Sequence, residues 1–189
     1  MKIISLWDEK GGCGKSTLAY MLGGAAYARG KRVLLIDDDP QCTCFMLAQD
    51  ENIDFTVINA WPSEAPSDDE YDLIIVDMAP NTNDMPTGVV ILPYQPTRIS
   101  YAVAAKHIPA LIDSESTERL VEVITMVDKR KLNHQNFVKG SDALVIASRS
   151  VYERATNEGR TVFDPVVKNW SGVREAKIEL NLLLDEVLK

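Results

Sequence analysis

Lys10-Gly11-Gly12-Cys13-Gly14-Lys15-Ser16-Thr17 follows the apolar run Ile3-Ile4-Ser5-Leu6-Trp7 and precedes Leu18-Ala19-Tyr20-Met21-Leu22. Strand, glycine loop, Lys-Ser, helix is the order that a phosphate-binding loop requires. Glycines let the backbone close around an anion, because no Cβ blocks the turn. The N–H groups of the loop and of the helix start then point at phosphate oxygens. Gly11 to Thr17 form this cradle, with Lys15 as a point charge for the outer phosphates and the Ser16 hydroxyl placed for Mg2+.

Working outward, the chain has 189 residues and a formal net charge of −8, from 28 acidic and 20 basic residues. Its length fits one domain, residues 1–189, with a substantial core. The acidic balance argues against a broad basic surface and leaves room only for a local one. Three cysteines, Cys13, Cys42 and Cys44, form no framework of pairs, which fits a reduced cytoplasmic setting. The N-terminus lacks the layout of a signal peptide, and no apolar run reaches bilayer length.

Helix periodicity runs from about Lys15 to Ala28, with Leu18, Met21, Leu22, Ala25 and Ala26 on one face. After Arg32, Val33 to Ile36 is a continuous apolar run, as in a strand buried on both sides of a parallel sheet, and leads into Asp37-Asp38-Asp39-Pro40-Gln41. Asp37 and Asp39 share one side of an extended segment and Asp38 takes the other. Carboxylates at a strand end beside a phosphate loop suit metal and water management; without that loop they would be an acidic turn. Cys42 and Cys44 read as residues opening a helix, since two thiols do not make a metal site.

A short strand is expected within 54–60 and a loop over 62–70. Tyr71 to Asp77 is an apolar strand ending in a carboxylate, with Asp77 placed to bind Mg2+ or to hold Ser16. Only Asn81 to Thr87 separate it from the next apolar strand, Gly88 to Pro93. Parallel strands usually need a crossover of a dozen or more residues, so this connection is unusual. A helix capped by Thr97 is expected to about Ile112, with Val103, His107, Ala110 and Leu111 on one face. Strands are expected at Leu120–Val127 and Ala143–Ile146, a short helical or irregular segment at 133–139, and a last helix over Gly172–Leu188. His107 has no carboxylate at a readable spacing, and Lys129-Arg130-Lys131 reads as a solvated turn.

The plain phosphate-loop pattern wants a glycine at position 9; this chain has Glu9 and then Lys10. Lys10-Gly11-Gly12-Cys13-Gly14-Lys15-Ser16 resembles the deviant Walker A motif of the ParA/MinD family of ATPases. Val33 to Gln41 is similar to that family's second signature. The run from Arg149 to Gly159-Arg160-Thr161-Val162-Phe163 resembles a segment of the small plasmid-partition ParA proteins that lack an N-terminal DNA-binding extension.

The resemblance implies a three-layer α/β fold, a mostly parallel twisted sheet with helices on both faces. It implies an ATPase using ATP and Mg2+, with Lys10, Lys15 and Asp39 catalytic. Lys10 would reach the nucleotide of the other subunit of a dimer, Asp39 would orient the attacking water, and Asp37 would join Ser16 and Asp77 around the metal. Gln41 and Ala79-Pro80 would lie in nucleotide-sensing switches. Thr125, Met126 and Asp128 occupy the region that approaches the base.

Partners implied are a second copy on ATP binding, nonspecific DNA and a centromere-binding, ParB-like protein, with the chain cytoplasmic and nucleoid-associated. Candidate DNA contacts are Arg149, Arg154, Lys168, Arg174 and Lys177. The last helix balances Glu175, Glu179, Asp185 and Glu186 against Arg174, Lys177 and Lys189, which disfavours a membrane-surface role. Other readings stay open: a MinD-like or cargo-positioning ATPase, or a small-molecule ATP-dependent ligase of the same fold. An iron–sulfur carrier is disfavoured because no cysteine lies beyond Cys44.

Overall fold

The computed structural model describes residues 1–63 and 65–189. In chain order the elements are β1 (Lys2–Leu6), α1 (Lys15–Tyr27), β2 (Val33–Asp38), α2 (Thr43–Ala48), β3 (Thr56–Ile58), β4 (Leu73–Met78), β5 (Gly88–Tyr94), α3 (Arg98–Ala105), α4 (Ile108–Asp113), β6 (Thr117–Val127), α5 (Leu132–Lys139), β7 (Leu144–Ala147), α6 (Ser150–Thr156) and α7 (Val173–Val187), with a 3-10 turn at Pro165–Val167 before α7. The strands form one sheet in the order β3-β2-β4-β1-β5-β6-β7, and every pairing is parallel. The expected loop over 62–70 is irregular at its described residues; Glu64 lies outside them.

Two apolar layers cover the sheet, because successive side chains of a strand point to opposite faces. One gathers Ile4, Leu6, Leu35 and Ile75 under α1, α6 and α7. The other gathers Trp7, Leu34, Ile36, Ile74 and Val76, with Ala104 and Leu111 from α3 and α4 and Phe137 of α5 against its margin. Helix α1 is buried on nearly all sides, a wider contact than the single stripe expected of it. The apolar stripe of α7 (Val173, Ala176, Leu180, Leu183, Leu184, Val187) lies in the first layer. Burying each such Val or Leu contributes roughly 1.5–3 kcal/mol. Among the described residues no helix is long and apolar enough to cross a membrane.

The helix expected over 97–112 is in fact two. Thr97 caps the first, its hydroxyl accepting from the Ser100 N–H. The chain then breaks at Lys106-His107, because Pro109 offers no N–H and its ring excludes the carbonyl four residues back. The break turns Ala110 out to solvent, while Leu111 stays buried.

The short connection from β4 to β5 is a crossover without a helix. Both strands flank β1, so residues 79–87 must travel back along a five-residue strand. Extended chain covers up to ~3.3–3.6 Å per residue, which suffices. The segment passes over Ser5, whose small side chain leaves room and whose hydroxyl donates to the Thr87 carbonyl at 2.8 Å. Gly88 completes the turn at φ +73, where a Cβ would lie 2.3 Å from the Ile3 carbonyl oxygen.

Candidate functional site

The phosphate loop joins the C-terminal end of β1 to α1, at the sheet end where β2, β4, β5 and β6 also finish. Gly12 and Gly14 take φ +77 and +91, the left-handed region that opens the loop. Lys15 is 6% exposed, and its ammonium folds back onto the carbonyls of Asp8 (3.1 Å) and Lys10 (3.4 Å). The Lys10 carbonyl also accepts from the Cys13 thiol at 3.5 Å. The Lys10 backbone is thereby fixed, while its side chain makes no hydrogen bond or ion pair among the described residues.

The loop is clamped from distant strand ends. The Thr125 hydroxyl donates to the Cys13 carbonyl at 2.7 Å, and the Gln95 amide donates to the Gly12 carbonyl at 3.0 Å. The Asn81 N–H donates to the Glu9 carbonyl at 3.2 Å. His107 does have a carboxylate partner: its Nε2 lies 2.7 Å from Glu9 Oε2, and its ring meets the edge of Trp7. That partner is far away in sequence, so spacing along the chain could not reveal it. The Asp8 carboxylate is buried at the foot of the loop and makes no well-formed hydrogen bond among the described residues. Burial holds its pKa up, offset in part by the nearby Lys10 amide and Cys13 thiol and by the charges of Lys15 and His107.

Asp77 stands at the end of β4, fully buried, with Oδ1 unpartnered. Burial lifts its pKa to about 7 and the charge of Asp37 adds to the rise; Ser16, Cys44 and Lys15 pull against it. The Cys44 thiol lies 3.5 Å from Asp77 Oδ2 and 3.3 Å from the Ser16 carbonyl. Cys44 opens α2, as expected of it, and also packs into the carboxylate site, which the sequence did not show. Burial and the neighbouring carboxylates hold its thiol well above the usual range.

Asp37 accepts from the Phe45 N–H at 2.9 Å and the Asp39 N–H at 3.3 Å, so it anchors the start of α2. Asp39 accepts from the Gln41 N–H at 2.9 Å through Oδ1, which closes the turn into Cys42. The structure thus gathers Lys15, Ser16, Asp37 and Asp77 at one point, with Asp39 on the adjoining turn and Lys10 on the outer lip of the loop.

A cavity of about 400 Å³ opens beside the loop, lined by Gly14, Thr17, Thr125, Met126, Arg149 and Tyr152 among others. Met126 takes φ 55 where the β6–β7 pairing shifts register, and its methyl group lies over Gly14. Asp128 is not among the residues lining this cavity; its carboxylate accepts from Arg130 in the following turn. Arg149, expected among the DNA contacts, lines this cavity with its guanidinium 16% exposed and paired with Glu179 at 2.7 Å, so little of its charge reaches the surface. Arg154, Lys168 and Arg174 stay on the surface, with Lys177 half-buried. Arg154 lies over the Trp170 ring at 3.6 Å and Lys177 over Phe163 at 5.4 Å.

Residues 4–177 match the family described as the CobQ/CobB/MinD/ParA nucleotide binding domain. The chain belongs to this family. Solved structures share its fold: one described as a plasmid partition protein of Borrelia burgdorferi bound to AMPPNP superposes with a TM-score of 0.71 at 19% identity, covering 98% of this chain and 99% of that one. MinD of Aquifex aeolicus gives 0.74 at 18% identity, covering 98% of both chains. In sequence, the Caulobacter vibrioides chromosome partitioning protein ParA is 50% identical over 44 residues, which span 23% of this chain and 16% of that protein. The maintenance of carboxysome distribution protein A of Gloeobacter kilaueensis is 27% identical, over 98% of this chain and 94% of that protein.

Proposed function

We propose that the protein is an ATP-dependent DNA-partition ATPase, in which ATP binding joins two copies and hydrolysis separates them. The observation that carries the reading is Lys10. Its backbone is bonded into the loop while its side chain makes no hydrogen bond or ion pair among the described residues, which suits a lysine that acts on a nucleotide held by another subunit. Gly11 to Thr17 hold the phosphates, with Lys15 drawn from the carbonyls of Asp8 and Lys10 onto phosphate oxygens.

The donors at the strand ends fit Mg2+. Asp77 has a buried oxygen without a partner, and Ser16 lies beside it; Asp37 stands behind them. Held by Ser16 and Asp77, with Asp37 behind them, the ion would supply positive charge that offsets the charge of the phosphates. Asp39 orients the attacking water through the carboxylate oxygen that does not close the turn. Its position on a turn, rather than in the strand, lets it shift with the nucleotide state.

DNA contact falls to Arg154, Lys168, Arg174 and Lys177, of which Arg154 lies over Trp170 and Lys177 over Phe163. One such patch is small on a chain of net charge −8, so pairing two copies is what brings affinity into a useful range. A centromere-binding protein of the ParB type would accelerate hydrolysis, and the protein would act on the nucleoid in the cytoplasm.

Light scattering and gel retardation test this together. With ATP and Mg2+ the protein should run as a dimer and retard nonspecific duplex DNA at low salt, with affinity falling steeply as salt rises; ADP should support neither. A monomer at saturating ATP would end the reading. A second reading, positioning of a non-DNA cargo, is favoured by the end-to-end likeness to the carboxysome distribution protein. Dimerisation with DNA binding, but no response to any centromere-binding protein, would select it.

A further inference from the structure

A second cavity, of about 740 Å³, lies away from the phosphate loop, between α3, α4, α5 and β6. Its volume is in the range of small-ligand sites. Three rings cluster along it. Tyr94 and Tyr101 are 5.2 Å apart between centroids, Tyr94 and Phe137 6.4 Å, and Tyr101 and Phe137 6.3 Å. Ile112 and Tyr101, both lining it, are exposed. No Lys, Arg or His is in the lining, but three carboxylates are: Glu122, Asp142 and Glu186.

Glu186 already has cations, Arg119 at 3.0 Å and Lys189 at 2.5 Å. Glu122 is half-buried and makes no ion pair among the described residues; its one side-chain partner is the Tyr94 hydroxyl, which donates to it at 3.1 Å. The floor carries a strand edge as well. β6 begins at Thr117 but pairs with β7 only from Val123 onward, so its earlier residues have a strand on one side alone.

We propose that this cavity binds an organic cation, an ammonium or guanidinium group carried on an aliphatic stem. A half-buried carboxylate without a counter-charge attracts a cation more strongly than an exposed one, because less solvent screens it. Aromatic faces add a cation–π contribution and favour a weakly hydrated organic cation over a metal ion. Ile108, Ile112 and Leu120 offer apolar surface to the stem. Both a free polyamine and a Lys or Arg side chain of a partner protein have this chemistry. The proposal is independent of the nucleotide reading.

The test titrates the full chain, without nucleotide, and follows backbone amide chemical shifts. The probes are spermidine, the peptide acetyl-Ala-Arg-Ala-amide, and its citrulline analogue as the neutral control. A cationic probe should shift the amides of Leu120, Gly140 and Ser141 saturably, and the citrulline peptide should not. Saturation by spermidine alone assigns a free polyamine; saturation by the arginine peptide assigns a side chain. Glu122→Gln should weaken the bound probe at least fivefold while leaving the thermal midpoint and ADP affinity unchanged. Tyr101→Ala, at the exposed rim, should also weaken it and guards against a folding defect in the first variant. Three results would overturn the proposal: no saturation with either cation, shifts spread over surface carboxylates and reversed by millimolar Mg2+, or equal binding by both variants.

Discussion

Asp37 and Asp77 lie opposite each other in the β2–β4 register, two buried carboxylates side by side. Asp37 is compensated by backbone N–H groups at the start of α2, while Asp77 keeps an oxygen with no partner. Burial therefore raises the Asp77 pKa from 3.8 to about 7 and also raises that of Asp37. Between the two Asp77 values the folded chain holds a proton that the unfolded chain has released. Stability without nucleotide should accordingly fall as pH rises from about 4 to about 7, the opposite of a salt-bridged carboxylate. Asp77→Asn should flatten that slope in urea titrations and raise the midpoint at neutral pH. A wild-type midpoint rising over the same window would show that Asp77 is ionised in the free protein.

The phosphate loop and the carboxylate-ended strands were legible in the sequence because both are local. A glycine run and an apolar run ending in Asp each carry their meaning within ten residues. The parallel sheet was implied by the family resemblance, and the continuous apolar run Val33–Ile36, buried on both faces, agreed with it. What holds the loop was not legible. Thr125, Gln95 and His107 reach it from β6, the end of β5 and the start of α4, and only the folded chain brings them to Cys13, Gly12 and Glu9. The helix-free crossover was visible only as a gap, since the hydrogen bond of Ser5 to Thr87 that anchors it joins residues 82 apart in sequence.

Those clamps carry a prediction of their own. Thr125→Val keeps the shape of a buried residue but leaves the Cys13 carbonyl without its donor. A lost buried hydrogen bond costs about 1–3 kcal/mol. Part of that should appear as weaker ATP binding, about threefold to tenfold in Kd, because the loosened loop must be ordered again by the ligand. Gln95→Ala, acting on the more exposed Gly12 carbonyl, should cost less. Calorimetric titration with a nonhydrolysable ATP analogue measures both; unchanged affinity in Thr125→Val would mean that the loop is held elsewhere.

Three substitutions separate the proposed roles around the phosphates. Lys15→Ala should abolish nucleotide binding, since it removes the buried cation of the cradle. Lys10→Ala should bind ATP as a monomer yet fail to dimerise. Asp39→Ala should bind ATP and dimerise but turn over at least a hundredfold more slowly, trapping the dimer. Sedimentation with and without ATP, beside phosphate release, distinguishes the three. Full hydrolysis by Asp39→Ala would remove that residue from the chemistry.

Gly88 tests the crossover. At φ +73 an L side chain is strained, by roughly 1–2 kcal/mol, before any contact is considered. Here a Cβ would also meet the Ile3 carbonyl oxygen at 2.3 Å, a backbone atom of β1 that cannot swing aside. Relief would require β5 to move away from β1 and would pull Thr87 off Ser5, so the cost should exceed the strain alone. Gly88→Ala should lower stability by more than ~2 kcal/mol, with Ser5→Ala, which removes the hydroxyl but not the room, costing about 1 kcal/mol. Because β1 leads directly into the phosphate loop, Gly88→Ala should also weaken ATP binding, whereas a substitution at exposed Met85 in the same segment should not. Equal stability of Gly88→Ala and wild type in urea denaturation would show that the chain crosses β1 by some other path.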